Sequence, residues 1–136
     1  MPPSDRRIQV PPNCDLTLGM VCVEKVTPGR TVWEMDAREK FANPAGIMQG
    51  GFVAAFADSA MGASAVTYLE GRKAFVVNAE LKVSFLRAVR IGSRLTCTAE
   101  VVKGGRQLAF LEAKVVDADD WLVLTASSTY VYSERD

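Results

Sequence analysis

The sequence predicts an α+β domain in which one long, buried helix is covered by a curved antiparallel sheet of about five to six strands. Three observations carry this. Residues 51–69 contain no proline and are apolar almost all round, so a helix there must be covered on most sides. Val77, Ala79, Leu81, Val83 and Phe85 alternate with Asn78, Glu80, Lys82 and Ser84, the period of a strand with one buried face. From Ala45 onward there is no proline at all, which leaves room for long, unbroken elements.

Taken in order, four of the six prolines stand at positions 2, 3, 11 and 12. They predict an extended or loosely held segment over 1–13, with 14–136 forming a single domain. Thr17 to Asp36 reads as two strands around Thr27-Pro28-Gly29-Arg30, where proline second and glycine third suit a type II turn. Residues 37–41 allow one helical turn before Asn43-Pro44 breaks it. The helix over 51–69 should run about five turns, with Gly71 as a terminating glycine and Arg72 and Lys73 near its negative end. Arg94 to Lys103 and Arg106 to Asp117 flank Gly104-Gly105, a pair suited to a two-residue hairpin turn. Asp117-Ala118-Asp119-Asp120 then separates a last strand, Trp121 to Tyr132.

Composition narrows the chemistry. A chain of 136 residues, 49% hydrophobic, fits one core. Sixteen basic and sixteen acidic side chains cancel, so no general field draws it to nucleic acid. The absence of histidine excludes a Ser-His-Asp triad, a Cys-His dyad and any zinc site using histidine. Cys14, Cys22 and Cys97 are odd in number and scattered, which predicts free thiols and a cytoplasmic protein. The start MPPSDRRIQV lacks the apolar region of an export signal, and no apolar run approaches the ~20 residues of a membrane span. Neither a membrane nor a nucleic acid is an expected partner.

Asp58 is the most informative residue. It lies within Val53-Ala54-Ala55-Phe56-Ala57-Asp58-Ser59-Ala60-Met61, where an unpaired carboxylate is costly to bury. Such a group is paired, solvated in a cleft, or used as a base. Asn43-Pro44-Ala45-Gly46-Ile47-Met48-Gln49-Gly50-Gly51 is the second feature. It brings two side-chain amides and two glycines to the start of the helix, whose free N–H groups can stabilise an oxyanion; it also reads simply as a tight loop meeting the helix. Nine residues separate Gln49 from Asp58, a rise of about 13.5 Å and a half-turn difference in facing. One chain cannot present both to one substrate atom, so a site using both must be composite, shared across a two-fold dimer. Arg87, Arg90 and Arg94, with Lys103 and Arg106, read either as a phosphate-holding cluster or as a solvated face. Ser59 and Ser64 lack a base partner.

Asn43…Gly46…Gln49-Gly50-Gly51, Asp58 nine residues after Gln49, Asn78-Ala79-Glu80-Leu81 and Phe85-Leu86-Arg87 together resemble the hotdog-fold thioesterases of the PaaI and 4-hydroxybenzoyl-CoA type. The likeness runs from about Gly19 to Tyr132. It implies a long helix wrapped by an antiparallel sheet, and a homodimer or dimer of dimers with active sites at the subunit interface. It implies an acyl-CoA thioesterase acting on an aromatic or medium-chain substrate, with Asp58 activating water or attacking the thioester carbonyl. The amide of Gly50 or Gly51 would polarise that carbonyl, and Asn43 would orient substrate or water from the opposite subunit. Asn78, Arg87, Arg90 and Arg106 would meet the substrate, the arginines at the CoA phosphates. No metal or cofactor is required, coenzyme A being part of the substrate.

Two positions depart from the family pattern. Gln49 stands where histidine is common, and Asn78 where serine or threonine often precedes x-E-L. Glutamine donates a hydrogen bond but cannot shuttle a proton. The alternative is therefore a non-catalytic acyl-CoA-binding protein of the same fold. A hydratase on this fold is disfavoured, since that chemistry usually pairs Asp with His.

Overall fold

The computed structural model describes residues 9–69 and 71–134. Its elements are α1 (Asn13–Leu18), β1 (Val21–Val26), β2 (Arg30–Asp36), a 3-10 turn (Glu39–Phe41), α2 (Gly50–Tyr68), β3 (Ala74–Phe85), β4 (Arg94–Gly104), β5 (Leu108–Val116) and β6 (Leu122–Glu134). Every strand pairing is antiparallel, and the six strands lie in the order β1-β2-β4-β5-β6-β3. The expected α+β architecture, one long helix and a curved six-stranded sheet, is the one found. No helix among the described residues is long and apolar enough to cross a membrane.

The helix buries a stripe rather than its whole circumference. Val53, Phe56, Ala57, Ala60, Met61, Ser64 and Ala65 are buried, the three- and four-residue spacing of one helical face. That stripe packs on the sheet's inner face, where Leu95, Cys97 and Ala99 of β4 and Leu111, Ala113 and Val115 of β5 are almost wholly buried. Phe52 and Val66 remain exposed at 37% and 49%, so the expectation of cover nearly all round is not met within one chain. Small residues let the strands approach, and Ser64, buried with them, donates to the Ala99 carbonyl at 2.8 Å.

Three local expectations are corrected. Thr17 and Leu18 close a short helix rather than opening a strand; Gly19, at φ 71°, caps it and donates to the Asp15 and Leu16 carbonyls, so β1 starts at Val21. An ordered helix thus begins at Asn13, within the segment expected to be extended; residues 1–8 of that segment lie outside the described residues. The β4–β5 turn is not Gly104-Gly105. Gly104 pairs with Ala109 after an irregularity between Val101 and Lys103, and Gly105 donates to the Leu108 carbonyl at 2.9 Å, so the chain reverses at Arg106-Gln107. Gly104 is glycine because a β-carbon there would run into the Tyr68 ring.

Candidate active site

Asp58 sits midway along α2, half-buried, against the inner face of β3 and β6. Asn78 Nδ2 donates to Asp58 Oδ1 at 2.9 Å, and the Tyr130 phenol donates to the same oxygen. The Tyr130 oxygen also lies 2.7 Å from the Asp58 backbone carbonyl. Among the described residues no donor reaches Oδ2. Burial first, and the neighbouring Asp58 second, push the Tyr130 hydroxyl far above its ordinary value, so it stays a proton donor at any working pH.

A bulge aims Asn78. The β3–β6 register shifts between Asn78 and Glu80, so Asn78 faces inward opposite Tyr130 while Glu80 pairs with Thr129. Bulges of this kind redirect a side chain and release backbone groups from the ladder. Here the Glu80 carbonyl accepts from Ser128 Oγ at 2.6 Å, and Ser128 Oγ accepts from Asn78 Nδ2 at 2.9 Å. Asn78, expected as a substrate contact, is thus bonded to Asp58 itself.

The start of α2 forms a second group of residues. Gln49 is extended, at φ −60° and ψ 131°, and its side chain makes no capping bond. Its N–H is held by the Phe41 carbonyl at 2.8 Å. The N–H groups of Gly50 and Gly51 find no acceptor among the described residues, as the first amides of a helix must. Gly50 cannot carry a side chain without displacing Phe85, whose ring carbon would lie 2.9 Å from the added β-carbon, whereas nothing lies within 4 Å of such a carbon at Gly51. Asn43 Oδ1 accepts from the Ala45 and Ile47 amides at 2.9 and 3.3 Å, so its side chain shapes the loop that delivers Gln49. Asn43, Gly50, Val53, Phe85 and Arg87 line a cavity of about 390 Å³.

The arginines divide between the two ends of the sheet. Arg87 lies at the helix-start end, 3.9 Å from Asp117 and stacked 4.6 Å over the Trp121 ring, and Arg90 bridges to Ile47 beside it. Arg106 turns at the far end of β5, its carbonyl taken by Arg72, beyond a strand about 26 Å long at 3.3 Å per residue. Arg94 is held by Asp36 and Glu34 at 2.9 and 3.1 Å. The five cations read as one possible cluster therefore do not form one within a chain. Asp58 likewise stands eight residues beyond Gly50, a rise of about 12 Å, and is not brought to the helix-start cavity by its own chain.

Residues 45–124 match the family model for the thioesterase superfamily. The chain belongs to that superfamily. It is 29% identical to human acyl-coenzyme A thioesterase 13 over 98 residues, which cover 72% of this chain and 69% of that one. In fold it is similar to the E. coli PaaI protein of the phenylacetic acid degradation operon, with a TM-score of 0.82 and 21% identity over 90% of this chain and 85% of that one. It is also similar to a thioesterase protein from Streptococcus pneumoniae TIGR4 solved with coenzyme A, at a TM-score of 0.77 and 20% identity over 86% and 88% of the two chains. The fold is the hotdog fold of PaaI-like thioesterases, and the chain is a thioester hydrolase.

Two residues of the site escape a reading of the sequence. Tyr130 and Ser128 lie 72 and 50 positions from the partners they bond, and only the β3–β6 register brings them there. The one signal available is their alternation with Ala126 and Tyr132 on the inward side of β6, which places polar groups on a face that is otherwise apolar.

Proposed function

We propose that this protein is an acyl-CoA thioesterase, hydrolysing an aromatic or medium-chain acyl-CoA to the free acid and CoA in a site shared by two copies of the chain. The observation that carries it is Asp58, a half-buried carboxylate with one oxygen held by two donors and the other open. Water adds to the thioester carbonyl as Asp58 takes its proton. The developing oxyanion rests on the Gly50 and Gly51 amides, where the helix dipole favours negative charge. The C–S bond then breaks, and the proton on Asp58 returns to the leaving thiolate. Direct attack by Asp58, forming an anhydride that water opens, would use the same groups. Gln49, free at the helix start, is a donor for the acyl oxygen, and Asn43 holds the loop that presents it.

The shared site is supported by the open edge of the sheet. β3 is an edge strand, and Val77, Leu81 and Phe85 along it are exposed at 54%, 38% and 59%, a surface that invites pairing with another strand. Antiparallel pairing of β3 with a second copy about Leu81 sets residue 85 of one chain against residue 77 of the other. Phe85 lies on Gly50 and Asn78 holds Asp58, so this pairing brings the oxyanion amides of one copy to the carboxylate of the other. Arg87 and Arg90, at the helix-start end, are the cations this reading assigns to the CoA phosphates. Three free cysteines, with Cys97 buried and pushed up to about 12 by that burial, fit a cytoplasmic setting.

Release of free CoA thiol from phenylacetyl-, benzoyl-, medium-chain and long-chain acyl-CoAs tests the reading. Multiple turnovers by the wild type that fall about 10²- to 10⁴-fold in Asp58→Asn, the range for loss of a general base, are the expected result. Gln49 in the histidine position keeps a binding protein as the second reading; it predicts an acyl-CoA that raises the melting temperature without being consumed.

A further inference from the structure

The hydrogen-bond chain around Asp58 runs in one direction only. The single Ser128 hydroxyl proton is given to the Glu80 carbonyl at 2.6 Å, so Ser128 presents lone pairs to Asn78. Asn78 must then turn its NH₂ toward both Ser128 and Asp58, at 2.9 Å each. Tyr130, 2% exposed, has one phenolic proton, shared between Asp58 Oδ1 and the Asp58 backbone carbonyl at 2.7 Å. Both donors converge on Oδ1, and the carboxylate cannot rotate without breaking two bonds.

We infer that Tyr130 is a positioning residue for Asp58: its phenolic hydrogen, with the Asn78 amide, fixes Oδ1, and Oδ2 is the oxygen that takes the proton from water. The inference deepens the thioesterase reading and rests on it. A chain without histidine has no imidazole to orient or relay, so the orientation of the one acid falls to neutral donors around it. Those donors come from β3 and β6, the two strands whose bulged register creates the inward Asn78. Tyr130 does not itself titrate in the reaction; it holds a bond to the ionised carboxylate and keeps it when Oδ2 gains a proton, because Oδ1 remains an acceptor in either state.

Steady-state kinetics of Tyr130→Phe with the best acyl-CoA of the panel test this. The expected result is a kcat lower by roughly 10- to 100-fold, in line with misplacement of a reacting group, with KM within about twofold of wild type. In an Asp58→Asn background the same change should cost nothing further, because Tyr130 acts through the group already removed. Asn78→Ala, at an exposed position, makes the same test on the second donor and should lower kcat rather than raise KM. An unchanged kcat, or an equal loss in the Asp58→Asn background, would overturn the inference and leave Tyr130 a structural contact. Full turnover by Asp58→Asn alone would instead remove the reading beneath it.

Discussion

At the scale of single residues, two carboxylates on neighbouring helices meet opposite fates. Asp58 accepts hydrogen bonds from Asn78 and Tyr130, while Asp15 on α1 is 5% exposed and resists charge. Burial, the larger cause, raises the Asp15 carboxyl above its ordinary 3.8, and hydrogen bonds to Cys14 and Ser59 pull it partly back. The fold therefore binds this proton more tightly than the unfolded chain does. Its contribution to stability is full below the unfolded value and is lost as pH rises through the raised folded one. Asp15→Asn carries no charge at any pH, so its melting temperature should gain on that of wild type between about pH 3 and pH 7. Thermal melts of both proteins across that range read the difference directly; parallel pH slopes would contradict it. Asp58 was legible in the sequence because an acid inside an apolar helical run is costly wherever it points. Tyr130 was not, because a tyrosine on a strand's inner face is ordinary core until the opposite strand is known to carry the acid's other partner.

At the scale of elements, the glycines show what spacing reveals and what it hides. Gly50 and Gly51 look alike in sequence, yet only Gly50 is pressed by a neighbour, the Phe85 ring. Gly104 looked like a turn residue and is instead a strand residue that makes room for Tyr68 of α2. The misplacement has a physical cause: an irregularity between Val101 and Lys103 shifts the pairing by one residue, and single-chain periodicity cannot register a shift in a partner's count. Gly104→Ala should destabilise the fold by about 1–3 kcal/mol through overpacking. The loss should vanish when Tyr68→Ala is already present, as chemical denaturation of the two single variants and the double variant would reveal. A full, additive loss in the double variant would mean that the close approach is not the reason for the glycine. The long helix and the existence of the strands after it were legible because their patterns are long and uninterrupted, but the face of β3 was not: a register shift turns Asn78 toward Asp58, and Val77, Leu81 and Phe85, expected on the buried face, are exposed. α1 was missed because its six residues give too few turns for a period to emerge.

At the scale of the whole molecule, one chain keeps apart the two groups assigned to the proposed hydrolase site. Gly50 lines a cavity at one end of the sheet, and Asp58 stands about 12 Å along the helix beside an edge strand with exposed apolar side chains. The proposed two-fold pairing of that edge would supply each half with its complement. Sequence spacing already called for a second copy if Gln49 and Asp58 serve one site, since nine residues of helix cannot fold back on themselves; the open edge strand proposed for the contact emerged only with the sheet order. The decisive measurement is subunit complementation between two inactive variants, Asp58→Asn and Gly50→Val, unfolded together, refolded as a mixture and assayed for release of CoA thiol. Each mixed dimer would contain one site built from the intact Gly50 of one chain and the intact Asp58 of the other, and turnover should return to about a quarter of the wild-type level for random pairing of the two chains. A mixture as inactive as either variant alone, although mixed dimers form, would show that both groups act from the same chain.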